Sequence, residues 1–228
     1  MVYAGLAAVG FVAMGAVGLA VGLFLWGDGS LSSLPQNLQM AAIFSLEAIL
    51  IIPAWRWGPG KYGGGFASLG LRRFPPARSG LLCLLGLAAV LVIDGAWEVV
   101  RKWLGVPGQP NYLPMFGGGW QGLAVALLLG GLVAPLAEEI FFRGYLYVGL
   151  RERWGRGWGM AISACLFSFV HFIPGVLPPI FLMGLLFSLI YDLTDSLWPC
   201  IALHGAINSL AFVAAYLAER FPQIVPGA

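Results

Sequence analysis

The 228 residues are 60% hydrophobic and only 10% charged, with a net charge of +2 and a mean hydropathy of +0.88. Soluble domains carry about 25% charged residues, so this composition excludes a soluble globular fold and predicts an all-α polytopic membrane protein. The small positive charge is confined to loops and gives no nucleic-acid footprint, and Cys83, Cys165 and Cys200 lie in apolar segments without metal or redox spacing.

Residues 1–27 carry no charge and are rich in Gly and Ala. The apolar run is too long for a signal peptide and lacks its basic flank, so it reads as a first spanning helix. A polar turn at 28–37 leads to a second span at 38–55, interrupted by Glu47. The loop at 56–78 is rich in Gly and Pro and holds Arg56, Lys61, Arg72, Arg73 and Arg78. A third span, 81–104, ends with Asp94, Glu98, Arg101 and Lys102; Arg101 and Lys102 are spaced to pair with Glu98 at i,i+3 and i,i+4. After a Pro/Gly loop at 105–119, a long fourth helix covers 120–150, with Pro135 either kinking it or starting a new segment.

Arg151, Glu152, Arg153 and Arg156 form a tight basic connection. A fifth helix at 158–173 ends at Pro174, a sixth runs over about 179–191, and a seventh over 197–218, with Asp195 or Ser196 as N-cap and Pro199 in its first turn. There is no internal repeat or low-complexity tract, so residues 1–228 read as one domain of about seven spanning helices. The two basic loops, two spans apart, share a side, which the positive-inside rule makes cytoplasmic.

Within this apolar chain, residues 134–146 read A-P-L-A-E-E-I-F-F-R-G-Y-L, and no charged residue precedes them back to Trp103. An ionised group inside a membrane costs a few kcal/mol or more, so such residues mark function by default. At about 100° per residue, Glu139 and Arg143 lie roughly 40° apart and can pair, whereas Glu138 lies roughly 140° from Arg143 and faces another partner. Glu138 and His171 are equally far from the centre of the 151–156 turn, each ~20 to 25 Å above it on antiparallel helices. His204 and Asn208 share one face of the seventh helix, ~15 to 20 Å from the same side. The chain's two histidines thus arrive at one membrane level with Glu138 and Asn208.

Taken singly, each residue has an ordinary structural use. A histidine or Asn208 can hydrogen-bond between helices, Glu139 and Arg143 can form a structural ion pair, Phe167 can be wall, and Glu47, Asp94 and Glu98 can be packing or snorkelling groups. Their convergence asks for more. An apolar pocket disfavours the ionised form of Glu138 and makes it a better general base near neutral pH. His171 is placed to hold a water with it, and His204 and Asn208, as neutral donors on one face, suit an oxyanion. That set describes peptide-bond hydrolysis without a nucleophilic Ser or Cys and without a cofactor. Glu138, His171 and His204 also make up a zinc ligand set with an open water position, although H-E-x-x-H spacing is missing. From another class, a proton-coupled transporter would use Glu138, His171 and His204 as a relay, and a non-catalytic membrane scaffold would use none of them.

The segments E-E-I-F-F-R-G (138–144), F-S-F-V-H (167–171) and H-G-A-I-N (204–208) resemble the motifs E-E-x-x-x-R, F-x-x-x-H and H-x-x-x-N/D. These belong to the CAAX-processing and bacteriocin-processing intramembrane endopeptidase family, also called CPBP or ABI. The resemblance covers about 132–217. It implies a glutamate-dependent intramembrane protease of a kind formerly described as a metalloprotease. Glu138 and His171 would activate water, His204 and Asn208 would form the oxyanion hole, and Glu139, Arg143 and Phe167 would support them. The expected partners are the lipid bilayer and a protein or peptide substrate, lipidated or not. The expected location is the cytoplasmic (inner) membrane of a prokaryote.

Overall fold

The computed structural model describes residues 50–171 and 173–223, and these contain helices and no strand. Two short helices, α1 (Ile51–Trp57) and α2 (Pro59–Tyr62), lead through a loop to the long α3 (Pro76–Leu104). After a second loop come α4 (Gly119–Leu128), α5 (Ala134–Glu139) and α6 (Val148–Phe169), joined by π-helical stretches at Leu129–Val133 and Ile140–Tyr147. Helices α7 (Leu177–Thr194) and α8 (Trp198–Arg220) complete the bundle. Among the described residues, four helical runs are long and apolar enough to cross a membrane: Pro76–Leu104, Gly119–Phe169, Pro174–Thr194 and Trp198–Arg220. The span expected at 1–27 and nearly all of that at 38–55, with Glu47, lie outside the described residues.

The run from Gly119 to Phe169 is not one rod. Gly155 inside it has φ 80° and ψ 171°. Ser163 donates a hydrogen bond to the carbonyl of Phe142 at 3.2 Å. A straight helix would hold residues that far apart in sequence about 30 Å apart, so the chain folds back at Gly155. This is the hairpin expected at 151–156, and Gly155 makes it because an L side chain rarely adopts that φ. Helices therefore stand in order where the third to seventh spans are expected, within four candidate membrane-spanning runs among the described residues.

Prolines and glycines set the ends. Pro76 opens α3, and Gly105 closes it in the left-handed region (φ 69°), its N–H returning to the carbonyls of Arg101 and Lys102. The α3 face carrying Leu84, Leu85, Leu91 and Val92 is exposed, as suits the lipid-facing side of a membrane helix. Helix α6 stops at Phe169, four residues short of the expected end, because Pro174 cannot follow a helical carbonyl at Val170. His171 thus sits in the turn beyond the helix. The expected N-cap of the last helix is also corrected. Asp195 ends α7 in the left-handed region (φ 52°), and the N-cap position of α8 is Leu197. Ser196 instead accepts the N–H of Trp198 through its hydroxyl at 3.3 Å, and Pro199 is in the first turn as expected.

One end of the bundle gathers the basic loops. Asp192 binds Arg151 at 2.7 Å, Arg156 at 2.6 Å and the Tyr147 hydroxyl at 2.7 Å, and Asp195 binds Arg72 at 2.8 Å. The other end is closed by the 105–118 loop. Gly175 lies directly on the Pro107 carbonyl, Trp97 donates to the Gly175 carbonyl at 2.6 Å, and Asn111 donates to Glu219 at 2.8 Å. At this end Glu98 pairs with both Arg101 and Lys102, as the spacing predicts.

Candidate active site

Pro135 begins the construction of the site. Its ring cannot sit over a helical carbonyl four residues back, at Gly131. The chain passes that point as the π-helical stretch Leu129–Val133, with Pro135 in the first turn of α5. Helix α8 crosses this stretch in backbone contact. A Cβ on Gly205 would lie 2.5 Å from the Gly131 carbonyl oxygen, and one on Gly131 would lie 2.5 Å from the Ser209 hydroxyl. The close crossing brings Asn208 within reach of the irregular backbone, where its side-chain N–H donates to the Gly130 carbonyl at 3.0 Å. One turn earlier on α8, His204 faces the two glutamates.

Glu139 and Arg143 pair at 2.8 Å, both side chains fully buried, as their spacing predicts. The pair is not closed on itself. The same Glu139 oxygen, Oε1, also meets Nδ1 of His204 at 2.9 Å. The second nitrogen of that ring, Nε2, stands 3.8 Å from Oε2 of Glu138, whose side chain is 15% exposed. His204 therefore spans both glutamates. The division expected from the helical wheel, one glutamate neutralised by arginine and the other left for a partner, is only half of the arrangement.

Aromatic rings complete the walls. Phe187 stacks on His204 with ring centroids 5.1 Å apart, and Phe167 meets it edge-on at 5.8 Å. The Arg143 guanidinium lies over Phe167 at 4.2 Å and over Phe187 at 5.0 Å, and donates to the Gly184 carbonyl at 3.3 Å. These faces and one carbonyl stand in for water around a buried cation. Gly184 leaves the space this needs: a Cβ there would lie 2.9 Å from Ala164. Gly144, just after Arg143, packs against the Leu69 carbonyl and Leu197, which fixes the arginine's turn.

His171 comes to the same place from the turn after α6. Its ring meets Phe167 edge-on at 5.1 Å, and Nδ1 lies 2.8 Å from the Phe167 carbonyl. A carbonyl only accepts, so Nδ1 carries the hydrogen and Nε2 keeps its lone pair. Phe167 is thus the shared support of both histidines and Arg143.

Of the seven residues singled out in the sequence, Glu138, Glu139, Arg143, Phe167 and His204 form one cluster, and His171 joins it across Phe167. Asn208 lies a turn from His204 with one amide hydrogen on Gly130. Phe187, Gly184 and Gly130 were not singled out. Their helices carry no polar motif at those positions, and their roles depend on which neighbours they meet. Among the described residues, no three His, Cys, Asp or Glu side chains are arranged to hold a metal ion.

Residues 120–210 match the family model described as Type II CAAX prenyl endopeptidase Rce1-like. That segment contains all three motifs and the whole cluster, in agreement with the resemblance seen in the sequence. No curated protein and no solved structure matches the chain.

Proposed function

From a multi-pass membrane protein whose motif segment matches the Rce1-like CAAX endopeptidases, we propose an intramembrane endopeptidase. It hydrolyses a peptide bond of a membrane-associated or lipidated protein or peptide. The observation that carries this reading is His204 held between Glu139 and Glu138.

Charge counting gives the mechanism. Two carboxylates against one guanidinium leave one negative charge in an apolar enclosure, and burying it uncompensated is costly. One proton shared across the gap between Glu138 and His204 neutralises it. With that proton on His204, the ring donates through Nδ1 to Glu139 and offers Nε2–H to the site, while Glu138 is the ionised carboxylate. A base and an oxyanion donor are then present together. Where the sequence suggests His204 as a neutral donor, this reading has it doubly protonated, because a ring whose Nδ1–H is taken by Glu139 needs a second hydrogen on Nε2 to donate into the site.

In this reading a water lies between Glu138 and the His171 Nε2 lone pair. Glu138 takes one water proton, the oxygen attacks the scissile carbonyl carbon, and the carbonyl electron pair moves to oxygen. His204 Nε2–H and the second amide hydrogen of Asn208 bind the oxyanion. Collapse re-forms the carbonyl and breaks the C–N bond, and the amine leaves with the proton from Glu138. Glu139 is a positioning residue that sets the ring's orientation and tautomer. The mechanism as proposed uses no metal.

Two measurements test the reading. Membrane peptides compared between cells carrying the wild type and Glu138→Gln should show uncleaved species accumulating with the variant, and identical profiles would sink the assignment. Purified enzyme stripped with chelator should keep its activity in metal-free buffer. Stoichiometric zinc, with activity lost on stripping and restored by zinc, would overturn the metal-free mechanism.

A further inference from the structure

At the basic end of the bundle, the loop before α3 and the start of α8 enclose an open groove of about 630 Å³, lined by Ala67, Leu71, Arg72, Arg73, Phe74 and Trp198. None of these residues belongs to the Glu–His cluster. The groove is built rather than incidental. Arg72 donates to the Asp195 carbonyl at 2.6 Å and its carboxylate at 2.8 Å. Ser196 donates back to the Arg72 carbonyl at 2.7 Å, and the Leu197 N–H donates to the Gly70 carbonyl at 2.8 Å. The loop and the first turn of α8 are thereby one unit.

Its two arginines differ. Arg72 is committed to Asp195, while Arg73, exposed beside it, makes no ion pair with a described residue. The apolar wall consists of half-exposed aromatics, Phe74 and Trp198, continued by Phe66, whose ring meets that of Trp55 at a tilt with centroids 4.8 Å apart. Trp154 and Trp158 are exposed around the Gly155 turn, which the Asp192 ion pairs tie to the same end. Exposed tryptophans interleaved with arginines mark the level of a membrane–water interface.

We propose that this groove binds the headgroup of an anionic phospholipid, with its phosphate on Arg73 and its glycerol and acyl chains against Phe74 and Trp198. A guanidinium presents a planar fork that matches phosphate oxygens. The basic side of a membrane protein faces the leaflet richest in anionic lipid. A free phosphate would use the same arginine but leave the aromatic wall without a partner.

The test is a native mass-spectrometry titration of the detergent-purified full chain with phosphatidylglycerol, with phosphatidylcholine, and with inorganic phosphate in a separate arm. The wild type should retain phosphatidylglycerol in preference to phosphatidylcholine. Arg73→Ala should weaken that binding about tenfold, as expected for loss of a charge-assisted hydrogen bond. Arg73→Lys should keep part of it. Arg153→Ala, the same charge change at an exposed position outside the groove, should leave it intact, with helicity and elution volume unchanged in all variants. Equal binding by Arg73→Ala, or equal loss in Arg153→Ala, would overturn the site. Inorganic phosphate competing at the concentrations that suffice for lipid would overturn its assignment to a lipid.

Discussion

Two arginine–carboxylate clusters lie along the same helical hairpin, and they behave as opposites. At the basic end, Asp192 holds Arg151 and Arg156, whose side chains are 36% and 55% exposed. Deeper in the bundle, Glu139 holds Arg143 with both side chains at 0%. Ion-pair distances are nearly the same in both. What differs is the surroundings. Asp192 itself is only 9% exposed, but its arginines reach solvent, which screens the pairs from one side, and the pairs fasten a turn, work that is worth little free energy per pair. Glu139 and Arg143 have no exposed surface for solvent to screen, so the aromatic faces, the Gly184 carbonyl and His204 surround them instead. The deep cluster also carries a second carboxylate, Glu138, 3.8 Å from His204, and the proposed mechanism uses it as the base.

Four substitutions separate the two clusters. Glu138→Gln should lower peptide turnover by about 10²–10⁴-fold, the contribution of a general base, with abundance and melting temperature unchanged. Near-normal turnover would mean that the second carboxylate has no catalytic use. Arg143→Ala strands Glu139 as a buried carboxylate and should cost about 3–5 kcal/mol, read as lost abundance and a lower denaturation midpoint. A variant as stable as the wild type would show that the deep pair is as dispensable as a surface one. Asn208→Ala should reduce kcat by about 10²–10³-fold with KM largely kept, as for other oxyanion donors. A loss of stability with kcat intact would instead confine Asn208 to fastening α8 onto Gly130. Arg151→Ala should cost only about 0.2–1 kcal/mol and leave turnover alone, since Asp192 keeps Arg156 and Tyr147. A loss comparable with that of Arg143→Ala would erase the distinction between the two clusters.

Much of this was legible in the chain because it is local. Helical spans follow from runs of apolar residues long enough to cross a bilayer, and their turns from Gly and Pro. The Glu139–Arg143 and Glu98–Arg101 pairs follow from the periodicity of one helix. Counting residues from a shared turn was enough to bring both histidines to the level of Glu138, since rise per residue is nearly constant. The misplacements have local causes too: Asp195 reads as an N-cap, yet its tolerance of the left-handed region serves equally well to end α7.

Contacts between helices were beyond that reach. Which nitrogen of His204 meets which glutamate, the stacking of Phe187 beneath the ring and the bond from Asn208 to Gly130 all depend on how closely α8 crosses the chain around Pro135. That distance is set jointly by Gly130, Gly131 and Gly205 and by two π-helical stretches that shift every following side chain around the axis. Composition and spacing therefore determined a membrane bundle with two histidines and two glutamates at one depth. Only the tertiary structure decided that one histidine would bridge both glutamates, because a fit of backbone against backbone is a property of two segments together and of neither alone.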